Sequence, residues 1–304
     1  MITNANLTRP HALIVGFGDI GERVAIRLQT AYAVSALIRK PERAAIAQKY
    51  GADAIEGDLA LPETLEKITA YRVDTIFHFA PPPSMGEVDT HTVNLLDVLL
   101  RAEAKPKQII YISTTGVYGD CGGQLVDELT PTQPQTARAV RRVSAETALL
   151  AWCLKHSVVL TILRAPGIYA LDRLPIARIN AGTPAIISEQ DSYTNHIHAD
   201  DLASACITAL TQKKSATFNI VDDSDLKMGD YFNLVADHFY LPRPLRVSRA
   251  VAESQVSPQM LSFMRESRRI ANTKMKAELK LTLRYPTVAD FLATVSRDLL
   301  TQIR

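Results

Sequence analysis

The stretch Ala12-Leu-Ile-Val-Gly16-Phe17-Gly18-Asp19-Ile20-Gly21-Glu-Arg-Val-Ala-Ile-Arg-Leu28 decides the fold. Ala12 to Val15 is a short apolar run of the kind a buried strand needs. A Gly-x-Gly-x-x-Gly turn follows, and Val24, Ala25 and Leu28 then recur at helical spacing. Strand, turn and helix in that order separate a phosphate-cradling loop from a chance glycine match. In such a loop Gly16 permits the tight turn, Gly18 lets the backbone approach a pyrophosphate, and Gly21 lets the helix pack close to its strand. The helix N-terminus adds N–H groups and a partial positive charge for the phosphates. The plainer alternative is a strand–turn–helix with a glycine-rich connection.

Further apolar runs follow at a steady pace: Val34 to Ile38, Asp53 to Ile55, Thr75 to Phe79, Gln108 to Ile112, Val158 to Leu163 and Thr217 to Val221. Helical spacing separates several of them, as over Val93 to Leu100. Apolar strands alternating with helices predict an α/β fold, a Rossmann-type doubly wound parallel sheet covered on both faces. Ligands of such sheets sit at the carboxyl ends of the strands. Beyond Tyr169 the pattern changes, with prolines at 175, 184, 242 and 244 punctuating shorter segments. The expected division is a dinucleotide-binding domain over 1–168, completed by a returning segment near 196–222. The remaining 169–195 and 223–304 form a smaller, substrate-side C-terminal lobe.

Composition excludes several classes. A hydrophobic fraction of 47% and a charged fraction of 22% over 304 residues are those of an ordinary soluble protein. A formal net charge of +2 argues against nucleic acid and anionic membranes as partners. No apolar stretch approaches the length of a membrane span, and the first ten residues lack a signal-peptide pattern. Cys121, Cys153 and Cys206 are odd in number and scattered, which suggests reduced thiols in a cytoplasm. The expected partner is a small-molecule substrate, for a monomer or a homodimer.

Which dinucleotide is read from the end of the second strand. NAD enzymes place an acidic residue there to accept from the ribose hydroxyls. Here the strand ends in Arg39-Lys40, with Arg43 one turn on. A guanidinium pairs bidentately with a 2′-phosphate, which favours NADP and leaves NAD possible. The alternative is a solvated basic turn, with Glu42 nearby. Asp58, after the third strand, is placed to meet the adenine, though aspartate at a turn also serves the backbone.

The middle of the chain reads Ile112-Ser-Thr-Thr-Gly-Val-Tyr118-Gly119-Asp120, then Val126-Asp-Glu128 and Pro131-Thr-Gln-Pro134. This resembles the extended short-chain dehydrogenase/reductase superfamily, the NAD(P)-dependent epimerase/dehydratase group. Leu163-Arg-Ala-Pro166-Gly-Ile168-Tyr169 is similar to that group's loop under the nicotinamide. His196-Ile-His-Ala-Asp-Asp201-Leu-Ala and Phe218-Asn-Ile-Val-Asp222 resemble two later segments in order and spacing. Arg265-Glu-Ser-Arg-Arg-Ile-Ala-Asn272 and Leu283-Arg-Tyr-Pro286 resemble an atypical bacterial subgroup. The resemblance implies a cofactor-contacting set of Gly16, Phe17, Gly18, Asp19, Ile20, Gly21, Arg39, Lys40, Arg43, Asp58, Leu59, Ala80, Pro81, Arg142, Pro166 and Ile168.

The chain departs from the superfamily in the helix after Pro134, where Tyr-x-x-x-Lys normally stands. Counting back from Glu146, the lysine position is Arg142 and the tyrosine position Arg138. Arg142 keeps a positive charge for the nicotinamide ribose. Arg138 cannot act as a general acid near neutral pH, because a guanidinium does not lose its proton; it suits a substrate anion instead. Thr114 matches the hydroxyl that orients substrate, and the helix asparagine has no match, with Asn94 out of register. Tyr118 and Tyr169 are substitute phenols if a cation lowers their pKa; packing is the alternative. The catalytic candidates are thus Thr114, Tyr118, Arg138 and Arg142.

Two further clusters invite sharper readings. His196, His198, Asp200 and Asp201 resemble a metal set on paper, but aspartate at a helix start is a good N-cap, and no metal is expected. The basic run Arg265, Arg268, Arg269, Lys274 and Lys276 suits a diphosphate or, with Glu266 and Glu278 interleaved, a solvated helix with local ion pairs. Two functions remain open. One is an NADP-dependent oxidoreductase or epimerase/dehydratase acting by hydride transfer on a small polar or nucleotide-linked, sugar-like substrate. The other is a regulatory or scaffold protein that binds the dinucleotide without the chemistry.

Overall fold

The apolar run after Pro10 forms β1 (His11–Val15), whose last four residues are fully buried, as a strand flanked on both faces requires. Six more strands join it: β2 (Ala33–Ile38), β3 (Asp53–Glu56), β4 (Thr75–His78), β5 (Gln108–Thr114), β6 (Val159–Ala165) and β7 (Ala216–Asn219). The structure, a computed structural model, describes residues 9–255 and 264–299. The strands form one sheet in the order β7-β6-β5-β4-β1-β2-β3. β1 pairs in parallel with both β2 and β4, with Val15 opposite Leu37 and His78. β2 with β3 and β4 with β5 are parallel too. The chain winds outward from β1 to β3, then returns to β4 on the other side of β1. The order therefore reverses between β1 and β4, which opens a crevice at their carboxyl ends. This is the doubly wound parallel α/β fold that the alternation of apolar runs predicts.

The connecting helices include α1 (Asp19–Leu28), α2 (Ala44–Lys49), α3 (Thr90–Arg101), α4 (Ala137–His156) and α5 (Ala199–Thr208). On α1 the buried residues are Ile20, Gly21, Val24, Ala25 and Leu28, one stripe at helical spacing. Asp89 caps α3, its carboxylate accepting from the Thr92 N–H. Among the described residues no helix is long and apolar enough to cross a membrane.

The chain clusters into two compact units. The first comprises Met1–Ser113, Val140–Leu163 and Ala203–Thr217, the second Thr114–Ala139, Arg164–Leu202 and Phe218–Arg304. The core of the first packs Leu13, Val15, Ile76, Leu95, Leu149 and Trp152. That of the second packs Tyr169, Leu174, Phe232, Val235, Phe291 and Leu292.

Two expectations for the second unit need correcting. The basic run is not one solvated helix: Arg269–Ile270 is a strand, pairing in parallel with Leu125–Val126. The change from helix to strand follows from partners far away in sequence: Arg269 donates its N–H to the Gln124 carbonyl and Ala271 to that of Val126. Nor do the two aspartates precede α5, since both lie in its first turn. The helix begins at Ala199, the Asp200 N–H donates to His198 Nδ1 at 3.1 Å, and the Asp201 carboxylate accepts from the backbone N–H groups of Arg284 and Tyr285. Both histidines pack against aromatic rings, His196 on Tyr231 and His198 on Tyr285 and Phe291. Among the described residues no His, Cys, Asp or Glu group has metal-holding geometry.

Candidate functional site

The glycine loop lies at the reversal of strand order. Gly16 has φ +97°, and a Cβ there would fall 2.4 Å from the Ala80 backbone nitrogen. The loops after β1 and β4 thus touch through a position that no side chain fits. A Cβ on Gly21 would stand 3.1 Å from the Gly16 carbonyl oxygen, which is how α1 seats close on β1. Gly18 is different: it is exposed, and nothing lies within 4 Å of where its Cβ would be. It is also the N-cap of α1 and no side chain caps that terminus. Space above Gly18 and an uncapped, positively polarised helix end are what a pyrophosphate requires. The residues present fit a dinucleotide.

Around this loop the structure sorts the basic residues. Arg43 Nη2 donates to the Phe17 carbonyl at 2.8 Å and to Glu22 Oε1 at 2.5 Å. It braces the glycine loop against α1. Arg39 and Lys40 stand exposed at the end of β2. Asp19 pairs with Arg23 within α1, and Phe17 and Ile20 are buried beneath the loop. Asp58 Oδ1 accepts from the Ala60 N–H, holding the turn after β3. Leu59 beside it is buried, and its carbonyl accepts from Asn94 Nδ2 at 2.7 Å. Asn94, unmatched as a catalytic residue, therefore ties α3 to that turn. Ala80 is buried after β4, and Pro81 is exposed.

Arg142 lies on α4 at the carboxyl ends of β4 and β5. Its Nη1 donates to Tyr111 Oη and the Ile112 carbonyl, both at 3.0 Å, and to the Ala80 carbonyl at 3.5 Å. Tyr111 is fully buried, and burial raises its phenol to about 12 although the adjacent guanidinium opposes the shift. Next to it His78 is buried and pushed down to about 3, so it is neutral. On the same face Ser113 donates to Glu146 at 2.5 Å. Sequence reasoning missed Tyr111, His78, Asp89 and Glu146 as one group. The signal within reach was Asp89-Thr-His-Thr92, an N-cap pattern at a helix start.

The second unit holds the other candidates. Thr114 Oγ1 accepts from the Gly116 N–H at 3.1 Å, fixing the turn that carries Tyr118. Tyr118 is buried; its hydroxyl donates to Asn219 Oδ1 at 2.8 Å and accepts from Arg164 Nη1 at 2.9 Å. Burial raises its pKa despite Arg164. Tyr169 is buried beside Asp222, and desolvation drives its phenol far above the usual range. Burial is the dominant influence on both phenols. Arg138 is exposed in the first turn of α4. Ile168 belongs to the short strand Gly167–Tyr169, opposite Ile197 in a parallel pair, and Pro166 precedes it half-buried.

Known proteins bear on this arrangement. The model of the family described as NAD dependent epimerase/dehydratase matches residues 12–221. A functionally unknown conserved protein from Silicibacter pomeroyi is 25% identical, with a TM-score of 0.79 over 96% of this chain and 99% of that one. UDP-glucose 4-epimerase from Thermotoga maritima, solved with UDP-glucose, is 18% identical, with a TM-score of 0.77 over 96% and 99%. UDP-glucuronic acid 4-epimerase from Bacillus cereus, solved with NAD, is 18% identical, with a TM-score of 0.73 over 96% and 99%. No curated protein matches. With a family match over more than half its length, on a glycine loop and sheet built to seat a dinucleotide, this chain belongs to the NAD-dependent epimerase/dehydratase family.

Proposed function

We propose that this protein is an NADP-dependent oxidoreductase or epimerase/dehydratase acting on a small polar or nucleotide-linked, sugar-like substrate. The observation that carries the reading is the glycine loop: open space over Gly18, at the uncapped N-terminus of α1 and the point where strand order reverses. Gly16, Phe17, Gly18, Asp19, Ile20 and Gly21 would hold the pyrophosphate, chiefly through backbone N–H groups. Asp58, Leu59, Ala80 and Pro81 would border the adenine and ribose portions, and Arg142 the nicotinamide ribose. When bound, the nicotinamide supplies hydride transfer. Thr114 orients a substrate oxygen, Arg138 meets a substrate anion, and Pro166 and Ile168 contact the cofactor. The similarity in fold to UDP-glucose 4-epimerase and UDP-glucuronic acid 4-epimerase supports the substrate class.

NADP is favoured because β2 ends in the exposed cations Arg39 and Lys40. Arg39→Ala should weaken NADPH binding about tenfold while leaving NADH nearly unchanged, since only one ligand carries a 2′-phosphate for a charge-assisted bond. Titration calorimetry with both cofactors reads this out, and an unchanged ratio refutes the assignment. Arg43→Ala should instead weaken both cofactors alike, by severalfold, because it braces the loop through Phe17 and Glu22.

One observation favours a second reading. Arg138 stands where the proton-transferring tyrosine belongs, and Tyr118 and Tyr169 are both buried with raised pKa values. A dinucleotide-binding regulatory protein without turnover accounts for that directly. Deuterium exchange between labelled NADPH and a panel of sugar nucleotides and small ketones decides. Incorporation that disappears in Thr114→Val supports the enzyme; tight NADPH binding without incorporation across the panel supports the regulator.

A further inference from the structure

The guanidinium of Arg142 is held from one side only. Nη1 makes three hydrogen bonds, two to carbonyls at the strand ends and one to Tyr111 Oη, while Nη2 and Nε have no hydrogen-bond partner among the described residues. The ring of Tyr111 lies 5.5 Å from the guanidinium carbon, so hydroxyl and ring both bear on the cation.

Tyr111 is itself fixed from behind. Its ring packs on His78, with centroids 5.2 Å apart. Thr92 Oγ1 donates to Asp89 Oδ2 at 3.0 Å, so at 2.8 Å it accepts from His78 Nε2, and the imidazole is the Nε2–H tautomer. Asp89, Thr92, His78 and Tyr111 are all at most 1% exposed. A chain from the α3 cap through β4 to β5 thus holds one phenol in one orientation. A flexible arginine side chain loses considerable rotamer entropy when it must present its edge to a ligand. Preorganisation removes that cost from the binding step.

We infer that Tyr111 is a positioning residue for the cofactor. Its buried hydroxyl holds Nη1 of Arg142 at the carboxyl ends of β4 and β5, so that Nη2 and Nε are presented to the dinucleotide's ribose hydroxyls. The inference rests on the reading above that Arg142 contacts the cofactor. It assigns to β5, three residues before Thr114, a task that the Tyr-x-x-x-Lys comparison leaves to α4 alone.

The test is a double-mutant cycle read as dinucleotide affinity by calorimetry, on wild type, Tyr111→Phe, Arg142→Ala and the double variant. Tyr111→Phe should weaken binding at least about tenfold, the effect of losing one hydrogen bond to a charged group, and should add nothing in the Arg142→Ala background. A merely structural phenol would weaken both backgrounds equally, and that additivity overturns the inference. So does wild-type affinity in Tyr111→Phe. If Arg142→Ala binds like wild type, the underlying cofactor reading of Arg142 fails and the inference with it, which the cycle separates from the first two outcomes. Should Tyr111→Phe not fold, 3,5-difluorotyrosine at position 111 keeps the ring and weakens the hydroxyl as an acceptor; unchanged affinity there counts against the inference in the same way.

Discussion

Replacing Gly16 with alanine is expected to destabilise the fold by about 3 kcal/mol or more, a large part of the stability of a typical domain. Two costs combine. A φ of +97° is strained for any residue with a side chain, and the new Cβ would sit 2.4 Å from the Ala80 nitrogen and 2.7 Å from its Cα. Those are backbone atoms at the end of β4, in register with β1 through Val15 and His78, so they cannot swing aside as a side chain would. A urea denaturation midpoint measures this, and an unchanged midpoint refutes the close-approach argument. Gly18→Ala is the informative contrast. With φ −105° and open space around its Cβ position, that variant should fold with a change within about 1 kcal/mol, the range for N-cap replacements. Its dinucleotide affinity should nevertheless fall at least about tenfold, because the methyl group takes the space the pyrophosphate needs. Undiminished affinity in Gly18→Ala would mean that the pyrophosphate lies elsewhere.

The second large effect is a pH-dependent one at Asp222. This carboxyl is buried, and desolvation raises it from 3.8 to about 7, with the hydrogen bond from the Ser224 backbone N–H opposing the shift. In the unfolded chain it ionises at its ordinary value. Between about pH 4 and 7 the folded state therefore holds a proton that the unfolded state has lost. The contribution of Asp222 is fully present below about pH 4 and disappears as pH rises through about 7. Asparagine imitates the protonated carboxyl and does not titrate. Asp222→Asn should thus match wild type near pH 4 and exceed it above pH 7, by a difference on the order of 4 kcal/mol. Asp223 and Asp201 are present in both proteins, so their own titrations largely cancel in the difference. Chemical denaturation of the pair at pH 4.5, 6 and 8 checks it. A gap that is constant with pH, or that shrinks as pH rises, would mean the carboxyl ionises normally in the folded state.

Each central strand was legible to within a residue or two, because an unbroken apolar run can only be satisfied by burial on both faces. The glycine loop was legible for the same reason: its neighbours in space are its neighbours in sequence. Arg43 was not. In sequence it sits in a basic turn, but its guanidinium lies on Phe17 and Glu22, 26 and 21 residues away. Tyr118 looked available, until folding brought Arg164 and Asn219 to its hydroxyl from 46 and 101 residues away. The basic run at Arg265 to Lys276 kept its charges but is broken by a strand at Arg269–Ile270, for which Leu125–Val126 offers a partner.

Local periodicity, residues close in the chain and residue identity were enough to read the doubly wound sheet, the dinucleotide loop and the loss of tyrosine and lysine from α4. Which charged and hydroxyl groups keep bonding capacity emerges only on folding. Arg142 has an edge to offer because Tyr111 and two strand ends hold the other. Arg43 Nη2 and the Tyr118 hydroxyl, by contrast, have hydrogen bonds committed within the protein. A hydrogen bond is directional and is satisfied by a partner in space, so chemistry that requires an unspent donor or acceptor follows from the long-range contacts.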